Sequence, residues 1–243
     1  MTKDTESTSA ERPGADRSRL AMAWYRVVQV TVATLLASVT GIRVTGRNHL
    51  PKQGGALLVS NHLGHLDVFI LGIPLSRPLN YVARSTLFLP ILGSLIRSVG
   101  GFPIQRDGIG AQGLKETLKR LKKGGIVVLF PEGTRSRDGE LGELKSGISV
   151  LAARARVAVV PAGIAGTFEA WPRSRPFPRP HPIRIHYGPA IRPEEFEGLD
   201  TDAVTALIRS RILECLEIAR TGLQRDMQAQ LGKTAVGQTG KLG

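Results

Sequence analysis

The stretch GGIVVLFPEGTRS, Gly124 to Ser136, decides the architecture. Ile126 to Phe130 is an unbroken apolar run rich in β-branched residues. Such a run reads as a strand buried on both faces, not as a half-exposed one. It stops abruptly in Pro131-Glu132-Gly133-Thr134-Arg135. Just upstream, Ala111 to Lys123 places Leu114, Leu118 and Leu121 at helical spacing, with lysines on the other face. The same alternation continues outward. GALLVS (Gly55 to Ser60), NYVA (Asn80 to Ala83), GGFPIQ (Gly100 to Gln105), VAVVPAGI (Val157 to Ile164) and IRIHYG (Ile183 to Gly188) read as further strands. Leu89 to Ser98, Leu144 to Arg154 and Thr201 to Arg220 read as helices, the last with Val204, Leu207, Ile208, Ile212 and Leu216 on one stripe. Buried strands alternating with helices predict an α/β fold with a mostly parallel central sheet flanked by helices.

The flanks differ from this body. Met1 to Arg19 is polar with nearly balanced charge and reads as a disordered tail. Between Arg26 and Arg43 lie sixteen uncharged residues, VVQVTVATLLASVTGI, preceded by Trp24 and Tyr25. This is short and polar for a span, and no apolar stretch of ~20 residues predicts one. Residues 20–45 are expected to form a membrane-associated helical segment that lies in the interface, the aromatic pair at the headgroup boundary. The competing reading buries this helix against the domain. Residues 46–222 are assigned to one domain and residues 223–243, polar and glycine-rich, to a flexible C-terminal tail. Trp171 to Pro193 holds seven prolines and five arginines and no acid. It reads as a surface loop and edge strand whose arginines face solvent or lipid headgroups.

The chain of 243 residues is strongly basic, with 33 Lys+Arg against 20 Asp+Glu and a net charge of +13. That balance points to an anionic partner. Nucleic acid is disfavoured, because no reader motif is present and aromatic residues make up only 5%. The single cysteine, Cys215, forms no intramolecular disulfide and no Cys-cluster metal site.

Ligand crevices in open α/β sheets lie at the carboxyl ends of strands. The first strand ends Ser60-Asn61-His62-Leu63-Gly64-His65-Leu66-Asp67. An imidazole there can take a proton from a hydroxyl, and a carboxylate folded back on it can hold one ring nitrogen so that the other faces substrate. His62 and Asp67 have that spacing, if a helix begins after His62. His65 raises a metal as an alternative, but no further Cys or His cluster supports one. The strands ending in Gln105-Arg106 and in Pro131 to Arg135 bring two arginine forks to the same edge, suited to phosphate oxygens. They can also pair structurally with Asp107 and Glu132.

Together these pieces resemble a family. NHLGHLD resembles the N-H-x4-D block of the glycerolipid acyltransferases, the lysophosphatidic acid acyltransferase family. GGFPIQR, FPEGTRS and VVPAGI resemble their second, third and fourth blocks, in the family's order over Asn61 to Ile164. Gly64 and His65 depart from the pattern, where the family often has Ser and an aromatic residue. The resemblance implies acyl transfer from a fatty acyl thioester to the sn-2 hydroxyl of lysophosphatidic acid, giving phosphatidic acid. It implies His62 as general base and Asp67 as its orienting partner. Arg106, Glu132, Gly133, Thr134 and Arg135 would form the acceptor's phosphate site, with Asn61, Pro131 and Pro161 supporting it. No bound cofactor or metal is implied; acyl-CoA or acyl-ACP is the co-substrate. The expected partners are an anionic phospholipid membrane, the lysophospholipid and the donor carrier, with the enzyme peripheral or monotopic on the cytoplasmic face. Acylation of glycerol 3-phosphate or another lysolipid is the alternative, and a non-catalytic basic lipid-binding protein is the alternative of a different class. The acyl chain is expected to lie in an apolar groove beside Leu87 to Ile96 or the Leu20 to Ile42 segment.

Overall fold

The seven strands of the sheet run in the order β1-β7-β6-β2-β5-β3-β4. They are β1 (Arg43–Thr45), β2 (Ala56–Ser60), β3 (Leu79–Arg84), β4 (Gly101–Ile104), β5 (Ile126–Leu129), β6 (Ala158–Ala165) and β7 (Arg184–Tyr187). The computed structural model describes residues 18–104 and 110–239. Every pairing is parallel except β6 with β7. Among the described residues seven α-helices accompany the sheet: α1 (Arg19–Thr40), α2 (Asp67–Ile70), α3 (Pro90–Ser98), α4 (Ala111–Lys122), α5 (Gly147–Ala155), α6 (Thr167–Ala170) and α7 (Thr201–Thr239). The expected α/β class is the one observed.

β2 lies at the centre because all five of its residues are buried. Its side chains alternate between two apolar layers. Leu57 and Val59 face Leu121, Leu151, Ile208, Ile212 and Leu216, the layer built on α4, α5 and α7. Ala56 and Leu58 face Ile70, Leu71, Ile185 and Tyr187, with Leu36 of α1 and Trp171 at the rim. Fully burying a side chain such as Leu57 or Ile208 contributes about 1.5–3 kcal/mol.

Three expectations are corrected. First, β7 is not an edge strand: the three-residue β1 pairs outside it, from Arg43 opposite Arg184 to Thr45 opposite His186. Second, the chain beyond Gly222 is helical to Thr239 instead of a flexible tail. Gly222 is tolerated inside α7 because its neighbours are anchored. Leu223 is buried with Ala219 and Ala165. Asp226 bridges Arg43 at 2.7 Å and also Arg184, and the Arg184 hydrogen bond holds its carboxyl below the usual carboxylate range. The expected tail at the N-terminus lies almost wholly outside the described residues.

Third, Arg19 to Ala37 forms a helix long and apolar enough to cross a membrane, with only 6% of that stretch buried. The charge of Arg26 does not end the helix, because its guanidinium donates to Gln29 at 2.6 Å and to the carbonyls of Leu75 and Ser76. Gln29 adds hydrogen bonds to the carbonyls of Gly72, Ile73 and Leu75. The helix is thus docked by a polar stripe. The aromatic pair divides: Tyr25 is buried and accepts the Leu79 N–H, whereas Trp24 stays half-exposed on Ser98. Leu20, Val27, Val30 and Leu35 remain exposed. The chain therefore carries one apolar N-terminal helix, a feature common to membrane-associated proteins.

Candidate active site

At the carboxyl end of β2 the chain leaves the sheet, and the side chain of Asn61 replaces the missing ladder. Its amide donates to the Ile164 carbonyl at 2.9 Å, and its carbonyl accepts the Ile164 N–H at 2.8 Å. Asn61 is fully buried, so both bonds are made where water cannot substitute. This clamps the start of the next residue, His62, against β6. Pro161 lies in β6 opposite Val59. It is tolerated inside the sheet because it falls between the Val159–Ile191 bridge and the Ala162–Tyr187 pair, where its carbonyl accepts from Gly188.

His62 is held at four points. Its backbone N–H donates to Glu132 Oε1 at 2.8 Å, and its carbonyl accepts the Ser136 N–H at 2.7 Å. Its ring stacks on Phe130 with centroids 4.0 Å apart. Nδ1 lies 2.8 Å from Asp67 Oδ2. An ionised carboxylate only accepts, so Nδ1 carries the proton and Nε2 is left as the basic nitrogen. The expected helix after His62 is present: Asp67 is the first residue of α2. Fully buried, its Oδ2 also accepts the N–H groups of Leu63 at 2.6 Å and Gly64 at 2.8 Å. A buried carboxylate with three donors on one oxygen is strongly localised.

Glu132 is buried in the turn behind His62. Its carboxylate turns inward, with Oε1 on His62 and Oε2 accepting the Gly142 N–H at 2.9 Å. It therefore positions His62 and the following loop. Burial pushes its carboxyl above the usual range, opposed only in part by those two N–H groups. A carboxyl raised in the fold contributes stability present below its unfolded pKa, about 4.3, and lost as pH rises through the folded value. The stability of the wild type relative to Glu132→Gln is therefore expected to decline between about pH 4 and pH 7. Denaturant unfolding at both ends of that range checks it; a pH-independent difference would show that Glu132 titrates like an exposed carboxyl.

Gly133 takes φ +69, and its N–H closes the turn on Phe130 at 3.0 Å. A Cβ there would lie 2.8 Å from Cε and 3.1 Å from Nζ of Lys145. The positive φ is what favours glycine here, while the flexible lysine end would have to move aside for a Cβ. Lys145 also donates its backbone N–H to the Pro131 carbonyl at 2.9 Å. Sequence reasoning missed Lys145, because nothing in its local pattern separates it from other exposed lysines. Thr134 is exposed beside this turn. Arg135 is half-buried and donates to the His65 ring, 2.8 Å to Nδ1. Burial, with Arg135 alongside, lowers the His65 pKa and keeps the ring neutral and able to accept. His65 also packs on Trp171, centroids 4.9 Å apart. Gly64 has no room for a side chain: a Cβ would sit 2.5 Å from the Thr167 carbonyl oxygen and 2.8 Å from that of Trp171. Arg106 lies outside the described residues. The structure therefore brings His62, Asp67, Glu132, Gly133, Thr134 and Arg135 to one edge of the sheet, with Asn61, Pro131 and Pro161 behind them.

The sequence model of the family described as Acyltransferase matches residues 41–165. The chain is 32% identical over 197 residues to a chloroplastic 1-acyl-sn-glycerol-3-phosphate acyltransferase of Arabidopsis thaliana, covering 77% of this chain and 54% of that protein. It is 31% identical over 144 residues to the 1-acyl-sn-glycerol-3-phosphate acyltransferase of Bacillus subtilis, covering 58% and 71%. The chain spans 54% and 38% of the lengths of the Arabidopsis and Brassica napus relatives. The crystal structure of the 1-acyl-sn-glycerophosphate acyltransferase of Thermotoga maritima superposes with a TM-score of 0.69 over 86% of this chain and 83% of that one. At 22% identity that likeness concerns the fold.

Proposed function

Because this chain belongs to the acyltransferase family, we propose that it moves a fatty acyl group from an acyl thioester to the sn-2 hydroxyl of lysophosphatidic acid. The product is phosphatidic acid, a step of phospholipid biosynthesis. The observation that carries the mechanism is the 2.8 Å contact of His62 Nδ1 with buried Asp67, from which the proton is assigned to Nδ1. Nε2 takes the proton of the acceptor hydroxyl as that oxygen attacks the thioester carbonyl. The Asp67 carboxylate stabilises the imidazolium that results. The tetrahedral adduct collapses, the C–S bond breaks, and the departing thiolate takes the proton back from Nε2. No covalent acyl-enzyme is needed. Cys215 is unsuited to form one, since burial pushes its thiol up to about 12 and Sγ–H donates to the Pro161 carbonyl.

Arg135 and Lys145, on either side of the Gly133 turn, supply positive charge for the acceptor's phosphate, with Arg106 completing the set. The Gly133–Thr134 turn offers its exposed surface to the same group, holding the hydroxyl beside the base. The donor is acyl-CoA or acyl carrier protein. The apolar side chains exposed on α1 and α3, Val30 and Ile91 among them, favour a peripheral or monotopic enzyme on the cytoplasmic face, its acyl chains in that apolar region.

Thiol release from a long-chain acyl thioester should require lysophosphatidic acid. Absence of acceptor-dependent release with both acyl-CoA and acyl carrier protein donors would overturn this reading. In the same assay Lys145→Met is expected to raise KM for lysophosphatidic acid about tenfold, the scale of one lost hydrogen bond to a charged group, with kcat and the donor KM nearly unchanged. Equal rises in both KM values would remove Lys145 from the phosphate site.

A further inference from the structure

The loop between α6 and β7 carries chemistry that acyl transfer does not use. Trp171 to Pro182 contains Arg173, Arg175 and Arg179, the aromatic Phe177 and five prolines, and no acidic residue. Phe177 is 78% exposed, a large apolar ring held out into solvent. The three arginines are exposed around it. Among the described residues no carboxylate lies within ion-pair distance of any of them.

The loop is nonetheless well built. The Trp171 indole donates to the Arg175 carbonyl at 3.1 Å, and Arg175 N–H donates to the Pro172 carbonyl at 3.2 Å. Arg179 ties the far end back, its N–H to the Ala170 carbonyl at 2.8 Å and its Nε to the Glu169 carbonyl at 2.6 Å. It is also joined to the catalytic strand end. His65 N–H donates to the Trp171 carbonyl at 3.1 Å, and Gly64 bridges Pro172. Trp171 packs into the same apolar layer as Leu36 of α1. The loop and the apolar helix therefore rise over the same face of the sheet.

We infer that this loop is a lipid-docking element that seats the catalytic edge on an anionic bilayer, with Phe177 in the acyl-headgroup boundary and Arg173, Arg175 and Arg179 on lipid phosphates. The combination selects a bilayer over an acidic protein. An acidic protein would need a matching apolar pocket beside its carboxylates to cover the ring, whereas any anionic bilayer interface takes both groups at once. Arginine suits phosphate oxygens through its planar fork. The prolines restrict the unbound loop, so little order is lost on docking. The element goes beyond the acyl-transfer reading, and its test uses no turnover.

The test measures binding of the full chain to vesicles of phosphatidylcholine alone and of phosphatidylcholine mixed with phosphatidylglycerol. The double variant Arg173→Gln, Arg175→Gln is expected to bind the anionic vesicles about 30-fold more weakly, two arginines at about 1 kcal/mol each. Its binding to the neutral vesicles should stay unchanged. In a Phe177→Trp variant the added emission should shift to the blue on anionic vesicles and be quenched by brominated lipid. Both sites are exposed, so thermal unfolding of the variants should match the wild type. Unaltered vesicle binding by the double variant overturns the inference, as does added emission from Phe177→Trp that stays at its aqueous wavelength. So does a double variant that keeps its vesicle affinity but loses affinity for acidic acyl carrier protein.

Discussion

Replacing His62 with alanine should lower kcat by about 10²–10⁴-fold, the usual contribution of a positioned general base. The KM values for donor and acceptor should change little, because the side chains proposed for the acceptor's phosphate lie on another segment. Stability should change modestly. The substitution removes a ring stacked on Phe130, worth about 0.5–1.5 kcal/mol beyond its buried area. It leaves the backbone bonds to Glu132 and Ser136 in place. Single-turnover measurements with purified protein check this directly. Undiminished turnover would mean that another group takes the proton and that the Asp67–His62 pair is structural.

Asp67 should separate orientation from charge, because its two simplest substitutions remove different things. Only Oδ2 is used, by His62 Nδ1, Leu63 N–H and Gly64 N–H, while buried Oδ1 has no protein partner. Asparagine can place its carbonyl where Oδ2 stands and keep all three accepted bonds. What it loses is the negative charge beside the imidazolium. A Coulomb energy of about 4 kcal/mol for unit charges ~4 Å apart at an effective dielectric constant of ~20 sets the scale. Asp67→Asn should therefore lower kcat about 10²–10³-fold, and its Nδ2, set where Oδ1 has no protein partner, should cost about 1–3 kcal/mol of stability, less than alanine. Alanine leaves two buried N–H groups and the ring N–H without an acceptor. At about 1–3 kcal/mol for each of the two buried N–H groups, Asp67→Ala should cost roughly 2–6 kcal/mol of stability and bring activity down to the level of His62→Ala. Unfolding curves and kcat for both variants test the ordering. Equal stability losses for the two would show that the three accepted bonds carry no weight.

The parts of this molecule legible in its sequence are those whose physics is local. β2 and β5 are continuous apolar runs because both faces are covered, and their boundaries fall within a residue or two of the pattern. The pairing of His62 with Asp67 follows from one helical turn, a separation the chain itself supplies. Other features depend on distant partners. β1 is three residues long, and its partner lies about 140 positions further on, so no periodicity marks it. Glu132 looks like a surface residue of a polar turn until the Gly142 and His62 N–H groups close on it. Tyr25 reads as an interfacial aromatic beside Arg26, yet Leu79 and the turn before it bury it. Past Gly222 the composition argues for fraying, and only the two arginines meeting Asp226 reveal an anchored helix.

The Arg43–Asp226 bridge joins positions 183 apart, and that separation sets an order of events during synthesis. At about 5–20 residues per second, roughly 10–40 s pass between translation of β1 and translation of the aspartate that pins it. β7, the strand that pairs with β1, is likewise absent through most of that interval. The apolar α1 emerges before the sheet, with its docking turn at Gly72 to Ser76 following within seconds. The nascent chain thus exposes its long apolar helix while the edge beside it stays open. Whatever meets that helix on the ribosome, lipid or chaperone, does so before the sheet has closed.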